Sequence, residues 1–170
     1  MSVTNKSKRR GTILDEIMMH HREQLPKRKR EVPLADLRGF AQLAPPPVDF
    51  AAALAKPGVS LIAECKKASP SKGLIVPKYD PVAIATAYVR AGARAISVLT
   101  DGRHFQGSLA HLRDVKEAFP QTPVLRKDFM FDPYQVYEAR SAGADAILLI
   151  AAVLSDSQIS ELQALAASMG

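Results

Sequence analysis

The sequence predicts an α/β protein in which helices cover a parallel sheet. After Val59, four apolar segments of strand length alternate with segments that carry helix-start signals. The strand segments are largely continuous apolar runs, which is typical of parallel strands buried on both faces. One helix-to-strand segment also occurs twice, because residues 91–99 (AGARAISVL) match residues 142–150 (AGADAILLI) 51 residues further along. This repetition indicates that the βα pair is the building unit.

Helices are predicted before the sheet begins. Thr12 can cap the first helix, with Asp15 as the capping-box partner three positions later, and apolar residues keep helical spacing up to Pro26. Pro33 can begin the second helix, and the proline run that follows it ends that helix. The predicted helices cover about 12–26, 34–43 and 51–55.

From Val59 onward the predicted strands cover about 60–66, 95–100, 124–127 and 146–151. The helices that follow these strands are predicted to end near residues 91, 119, 142 and 168. Asp80-Pro81 and Asp132-Pro133 each place a capping residue before a proline at the first helical position. Ser155, with Gln158 three residues later, is a capping box for the last helix.

Four βα units in succession leave two architectures open, a doubly wound sheet or a (β/α)8 barrel. No G-x-G-x-x-G motif follows any strand, which disfavours a dinucleotide-binding sheet. The chain ends at Met169-Gly170 in the helix-then-glycine pattern also present at Gly92 and Gly143. Because four parallel strands alone leave two open edges, the sequence is expected to stop within a larger fold.

Composition predicts one soluble domain with a core, since 47% of the 170 residues are hydrophobic and 24% are charged. No apolar run approaches membrane-spanning length, and residues 1–10 lack the apolar stretch of a secretion signal. The single Cys65 cannot form an internal disulfide, so a cytoplasmic location is expected. We interpret Cys65 as a core residue and not as a nucleophile.

The formal net charge of +6 arises within residues 1–30, which hold nine Lys or Arg against three acidic residues. Residues 1–10 are predicted to be a disordered basic tail. Residues 1–30 contain no aromatic side chain, so a solvated helix and tail is favoured over a nucleic-acid-binding surface. The functional alternative is that the positive charge of this segment attracts an anionic substrate and raises its local concentration.

Charged side chains stand at or just past the ends of two predicted strands. Alternation places Glu64 and Lys66 on one face of the first strand, and Lys127 on the face opposite Arg126 in the third. A lone lysine at a strand end is usually a solvated charge. Two lysines and a glutamate converging from separate strands predict a site. Neighbouring ammonium groups and burial lower a lysine pKa, which suits proton transfer, and the carboxylate would hold both lysines.

No metal site is predicted. His20 and His21 are adjacent on a helix and point in different directions, while His104 and His111 are isolated in the sequence. The chain therefore has no His-rich or Cys-rich ligand set.

Several segments resemble the indole-3-glycerol-phosphate synthase family. Residues 62–73 (IAECKKASPSKG) are similar to its first-strand signature. Residues 97–100 (SVLT) resemble its second strand, and residues 105–108 (FQGS) resemble the loop that follows that strand. Residues 124–129 (VLRKDF) resemble its third strand, and residues 143–150 (GADAILLI) its fourth. The first predicted helix resembles the N-terminal extension of that family.

The resemblance implies a (β/α)8 TIM barrel with an N-terminal helical extension. Residues 11–58 would form the extension, and residues 59–170 the first four βα units. It implies a carboxy-lyase of tryptophan biosynthesis that acts on 1-(2-carboxyphenylamino)-1-deoxyribulose 5-phosphate. Ring closure would release carbon dioxide and then water to give indole-3-glycerol phosphate. No cofactor, metal, nucleic acid or membrane is implied, only a phosphorylated small-molecule substrate.

The resemblance also assigns roles to residues. Lys127 would be the general acid, Lys66 would hold the substrate carboxylate and assist later proton steps, and Glu64 would position both lysines. The substrate-binding residues that it implies are Ser69, Phe105, Phe129 and Leu148. The alternative for the three apolar residues is a simple core position.

Later strands of the family supply a further glutamate, an asparagine, a serine and the phosphate-binding loops. These positions have no counterpart in the 170 residues. The alternative function is therefore a catalytically incompetent half-barrel that self-associates through its open edges.

Overall fold

The computed structural model describes residues 11–170, and the predicted basic tail lies outside the described residues. The chain begins with α1 (Ile13–Glu31), α2 (Leu34–Leu43) and α3 (Phe50–Leu54). Thr12 and Asp15 form the predicted capping box, since each accepts a hydrogen bond from the backbone N–H of the other. The second helix has the predicted bounds, and the third is shifted by one residue.

The predicted end of the first helix at Pro26 is wrong, because α1 continues to Glu31. Its last turns are held by tertiary contacts. Arg28 Nη1 lies 3.0 Å from a Glu138 carboxylate oxygen, and the Tyr134 hydroxyl donates to the carbonyl oxygen of Arg28 at 3.0 Å. These contacts outweigh the single backbone hydrogen bond that a proline cannot donate.

Four parallel strands form one sheet in chain order: β1 (Ile62–Cys65), β4 (Ala95–Leu99), β5 (Val124–Lys127) and β6 (Ala146–Ile147). An antiparallel hairpin of β2 (Ala68–Ser69) and β3 (Gly73–Leu74) follows β1 directly. The remaining helices are α4 (Pro81–Arg90), α5 (Gly102–Phe105), α6 (Leu109–Ala118), α7 (Pro133–Ser141) and α8 (Asp156–Ala167). The predicted caps Asp80, Asp132 and Ser155 all accept hydrogen bonds from first-turn N–H groups.

Three short elements differ from the prediction. The β2–β3 hairpin and α5 occupy segments that were expected to be loops. The fourth strand ends at Ile147, short of the predicted end near residue 151. Only Ala146 and Ile147 find partners on β5, and no strand within residues 11–170 pairs with the other edge of β6.

The two faces of the sheet have different environments, as the alternation predicted. One face packs on the helices and forms the core, to which the sheet contributes Ala63, Cys65, Ile96, Val98 and Val124. Burial, with a smaller effect of the nearby Glu64 carboxylate, raises the pKa of the Cys65 thiol to about 12. A thiol this hard to ionise is a core residue and not a nucleophile.

The opposite face of the sheet carries Glu64, Lys66 and Lys127, which are half-buried. Among residues 11–170, no helix is both long enough and apolar enough to span a bilayer.

Candidate active site

Glu64, Lys66 and Lys127 form one charged cluster, which we call the Lys–Glu–Lys cluster. Lys66 Nζ lies 2.6 Å from Glu64 Oε1, and Lys127 Nζ lies 2.7 Å from Glu64 Oε2. Both ammonium groups therefore donate to one carboxylate, each to its own oxygen. The convergence predicted from the sequence is confirmed in the geometry.

The strand register explains why these side chains meet. Glu64 is paired with Ser97 of β4, and Lys127 is paired with Leu99 of the same strand. Glu64 and Lys127 thus flank β4 near the carboxyl ends of the strands, and their side chains meet over it. Ligand sites of parallel α/β proteins lie at this end of the sheet.

The electrostatics of the cluster keep the carboxylate charged. Partial burial opposes ionisation of Glu64, but the hydrogen bonds from Lys127 and Lys66 outweigh it and lower the pKa of this carboxyl group. The three side chains keep between 29% and 37% of their surface exposed. Each ion pair at such exposure contributes at most about 1 kcal/mol to stability. The arrangement can instead hold an anionic ligand and donate a proton to it.

The other predicted site residues lie on neighbouring segments. Ser69 is part of β2, where its hydroxyl accepts from the Lys72 backbone N–H at 3.2 Å. Phe105 is the last residue of α5, and its ring centroid lies 6.0 Å from that of Phe129. These two phenylalanines are therefore neighbours just beyond β4 and β5.

Leu148 directly follows β6 and is half-buried. Its neighbours Ile147 and Leu149 both pack on the helix-side core. Alternation therefore places Leu148 on the face that carries Lys127.

A second polar cluster, which the sequence did not reveal, lies beside the phenylalanines. His21 Nε2 of α1 lies 2.7 Å from Asp101 Oδ2 and 3.7 Å from Asp128 Oδ1. All three residues are buried. One signal was available, because both aspartates directly follow predicted strand ends.

His104 is isolated in the sequence but not in the fold. Its ring lies 5.9 Å from the His20 ring, and its Nδ1 lies 3.6 Å from Asp101 Oδ2. The fold brings α1 and α5 together, although the two helices are far apart in the sequence.

Arg126 anchors the same network from the helix side of β5. Its side chain is 1% exposed, and it donates to Asp128 Oδ2 at 2.8 Å and to the Gln135 carbonyl oxygen at 2.8 Å. Glu138 Oε2 lies 3.3 Å from its Nη1. Burial opposes ionisation of Asp128, but Arg126 and then His21 outweigh it and lower its pKa.

The ligand atoms of His21, Asp101 and Asp128 lie within 4.8 Å of one another, and these residue types bind divalent cations. Each of these atoms, however, already lies near a partner in the protein. The Arg126 guanidinium beside Asp128 also repels a cation. We therefore treat the group as a hydrogen-bonded network.

This network predicts sensitivity to acid. Burial opposes ionisation of Asp101, but hydrogen bonds from His21 and from the His104 backbone N–H lower its pKa from 3.8 to about 2. Ionised Asp101 therefore stabilises the fold fully above about pH 4, and this contribution is lost as the pH falls through 2. We expect Asp101→Asn to remove about 2 kcal/mol of pH-dependent stability from urea unfolding curves at pH 2 to 7. The exposed Asp114 gives the matched control Asp114→Asn, and equal pH profiles for the two variants would contradict the assignment.

A cavity of about 690 Å³ lies away from both clusters, between the Pro45–Pro47 segment and helices α6 and α7. Two of its three cationic side chains are engaged within the protein, and the third, Arg113, is exposed on α6. Lys116 Nζ pairs with Asp145 at 2.7 Å, and Arg140 donates to the carbonyl oxygens of Ala44 and Pro45. The Lys–Glu–Lys cluster therefore remains the candidate active site.

Parallel strands with helices packed on one face, and a charged cluster near their carboxyl ends, are typical of the class of barrel-type α/β proteins. Comparison with known proteins identifies the family within this class. The family model described as indole-3-glycerol phosphate synthase matches residues 14–170. The chain belongs to the indole-3-glycerol phosphate synthase family, and its four βα units are part of the (β/α)8 barrel of that family.

Individual relatives agree with this assignment. The chain is 52% identical over 165 residues to the indole-3-glycerol phosphate synthase of Roseiflexus sp. (strain RS-1), covering 94% of this chain and 61% of that protein. It is 49% identical over 161 residues to the indole-3-glycerol phosphate synthase of Salinibacter ruber. This match covers 94% of this chain and 59% of that protein. The chain thus spans about three fifths of the length of the curated relatives that it matches.

Proposed function

We propose that this chain carries part of the active site of an indole-3-glycerol phosphate synthase. The substrate would be 1-(2-carboxyphenylamino)-1-deoxyribulose 5-phosphate. The observation that carries the proposal is the Glu64 carboxylate held between two ammonium groups at 2.6 and 2.7 Å. Family membership supports the same reaction.

In this proposal Lys127 is the general acid. The aryl carbon attacks the sugar carbonyl carbon, and the carbonyl oxygen gains negative charge as the new bond forms. The Lys127 ammonium group donates a proton to that oxygen. Carbon dioxide then leaves, and its bonding electrons restore the aromatic ring. Loss of the new hydroxyl group as water, together with a proton from the neighbouring ring carbon that bears the nitrogen, forms the last ring double bond and completes the indole.

Lys66 would pair with the carboxylate of the substrate and assist the later proton steps. Glu64 would keep both lysines in place, because an ionised carboxylate accepts one hydrogen bond from each. Phe105 and Phe129 would pack on the aryl ring, while Ser69 and Leu148 would line the rest of the substrate site. Neighbouring phenylalanines suit an aryl group, because offset or tilted rings attract each other.

The domain organisation belongs to the same proposal. Residues 11–58 would be the N-terminal extension, and residues 59–170 would be the first four βα units of the barrel. A cytoplasmic location suits the single buried Cys65. The expected partner is the phosphorylated substrate alone, without nucleic acid.

The test is direct detection of the product. We define the extended chain as this chain joined to the remaining sequence of its Roseiflexus relative, so that it has the length of that relative. The extended chain should convert the substrate to indole-3-glycerol phosphate with release of one equivalent of carbon dioxide. A folded extended chain that binds the substrate but forms no product would refute the proposal.

A second candidate function is self-association of the 170-residue chain through its sheet edges. The observation in its favour is an exposed apolar segment leading into the edge strand β1, where Val59 is 92% exposed and Leu61 is 51% exposed. Exposed apolar strand edges pair readily with other chains. Light scattering over a range of concentrations tests this candidate, and a monomer throughout would refute it.

A further inference from the structure

Two aspartates hold the backbone of the two neighbouring phenylalanines. Asp101 Oδ1 accepts from the backbone N–H of Phe105 at 3.0 Å and from that of His104 at 2.6 Å. Asp128 Oδ1 accepts from the backbone N–H of Phe129 at 2.9 Å. Each phenylalanine is thus tied to a buried carboxylate immediately after its strand.

His21 of α1 is hydrogen-bonded to Asp101 and lies close to Asp128. Its Nε2 lies 2.7 Å from Asp101 and 3.7 Å from Asp128. Because Asp101 is ionised and a carboxylate only accepts, Nε2 carries the donated proton. The His21 ring also lies 5.5 Å from the Phe129 ring, so it contacts the same pair a second time.

We propose that His21 is a positioning residue that fixes Phe105 relative to Phe129, through its hydrogen bond to Asp101 and its ring contact with Phe129. The helix α1 would thereby shape the wall that receives the aryl ring of the substrate. The role in substrate binding depends on the proposed function, whereas the role in holding the segment that carries Phe105 does not.

The surroundings of His21 favour this role over simple attachment of the helix. Other contacts already attach α1, since Leu25 packs in a small core with Leu37 and Tyr134, and Arg28 pairs with Glu138. On the opposite side, Asp128 is fixed by Arg126 and by the Thr100 hydroxyl at 2.6 Å. His21 is therefore the link between a rigid strand end and the shorter segment that carries Phe105.

The test uses the 170-residue chain and three variants of α1. His21→Ala removes the link, and His21→Gln keeps a donor at a similar reach. His20→Ala is the matched control, because His20 is the adjacent histidine and contacts Arg103 at 3.2 Å and neither aspartate. We measure hydrogen exchange of individual backbone amides in these proteins, and we titrate the extended chain and the same three variants of it with anthranilate as an aryl carboxylate probe.

In His21→Ala we expect amide exchange at His104 and Phe105, whose N–H groups donate to Asp101, to accelerate about tenfold, the effect of one lost hydrogen bond. The amide of Tyr134, which donates to Asp132 at 2.9 Å away from His21, should be unchanged. Anthranilate affinity should fall about five- to tenfold, and His21→Gln should restore both values to within about threefold. A merely structural role would accelerate exchange at Tyr134 as well.

Unchanged exchange at His104 and Phe105 in His21→Ala would overturn the inference. Faster exchange at these amides with unaltered anthranilate affinity would overturn the role in shaping the aryl site. If the parent extended chain does not bind anthranilate, the substrate assignment fails, and the exchange result still decides whether His21 holds the segment that carries Phe105.

Discussion

Replacing Lys127 by methionine in the extended chain is expected to lower the turnover number by about 10²- to 10⁴-fold, the usual contribution of a general acid. Methionine keeps the length of the side chain but has no proton to donate. The ion pair between Glu64 and Lys66 at 2.6 Å remains in this variant, so it can still hold the Glu64 carboxylate in place. Substrate affinity should therefore change much less than turnover. The measurement is steady-state kinetics of product formation.

Lys67→Met is the matched control for Lys127→Met. Lys67 follows the same strand as Lys66, and its backbone carbonyl oxygen accepts from Ile75 at 2.9 Å, but its side chain is not in the Lys–Glu–Lys cluster. Turnover of this control should remain within about threefold of the parent, because solvated charges contribute little. If Lys127→Met keeps near-normal turnover, Lys127 is not the general acid.

Replacing Arg126 by methionine is expected to reduce the free energy of unfolding by about 3–5 kcal/mol, the typical effect of removing one partner from a buried ion pair. Arg126 is 1% exposed and donates to Thr100, Asp128, Gln135 and Glu138. Its loss leaves the carboxylates of Asp128 and Glu138 buried without their central cation. Urea unfolding at pH 7 measures the change.

Two further variants test the cause of this destabilisation. Arg113→Met removes an exposed arginine from α6 and should change stability by less than about 0.5 kcal/mol. Arg126→Lys keeps the positive charge but lacks the several N–H donors of the guanidinium group. We therefore expect its free energy of unfolding to lie between those of the parent and of Arg126→Met. If Arg126→Met lowers the free energy of unfolding by less than about 1 kcal/mol, the network does not depend on the Arg126 guanidinium group.

Local sequence signals predicted most of the fold from residue 34 onward. Capping residues such as Asp80, Asp132 and Ser155 defined where helices begin, because side-chain caps act within one turn. Alternation placed Glu64 and Cys65 on opposite faces, because strand geometry is local as well. The barrel architecture followed from a family resemblance and not from these signals.

The wrong end of α1 and the missed pairing of His21 with Asp101 have a common physical origin in contacts between distant residues. The first helix passes Pro26 because Arg28 and Tyr134, which are 106 residues apart, hold its last turns. His21 and Asp101 are 80 residues apart, so their pairing left no pattern in the sequence. Lys127 and Glu64 could be associated in advance because both follow a regular βα alternation, whereas α1 docks without such a repeat.

The central claim is that the Lys–Glu–Lys cluster contacts the substrate. It is tested most directly by NMR of the extended chain with ¹⁵N-labelled lysine ammonium groups during titration with 1-(2-carboxyphenylamino)-1-deoxyribulose 5-phosphate. We expect the Nζ signals of Lys66 and Lys127 to shift with one saturable affinity, while that of Lys67 stays constant. Saturating substrate that leaves the Lys66 and Lys127 signals unmoved would contradict the claim.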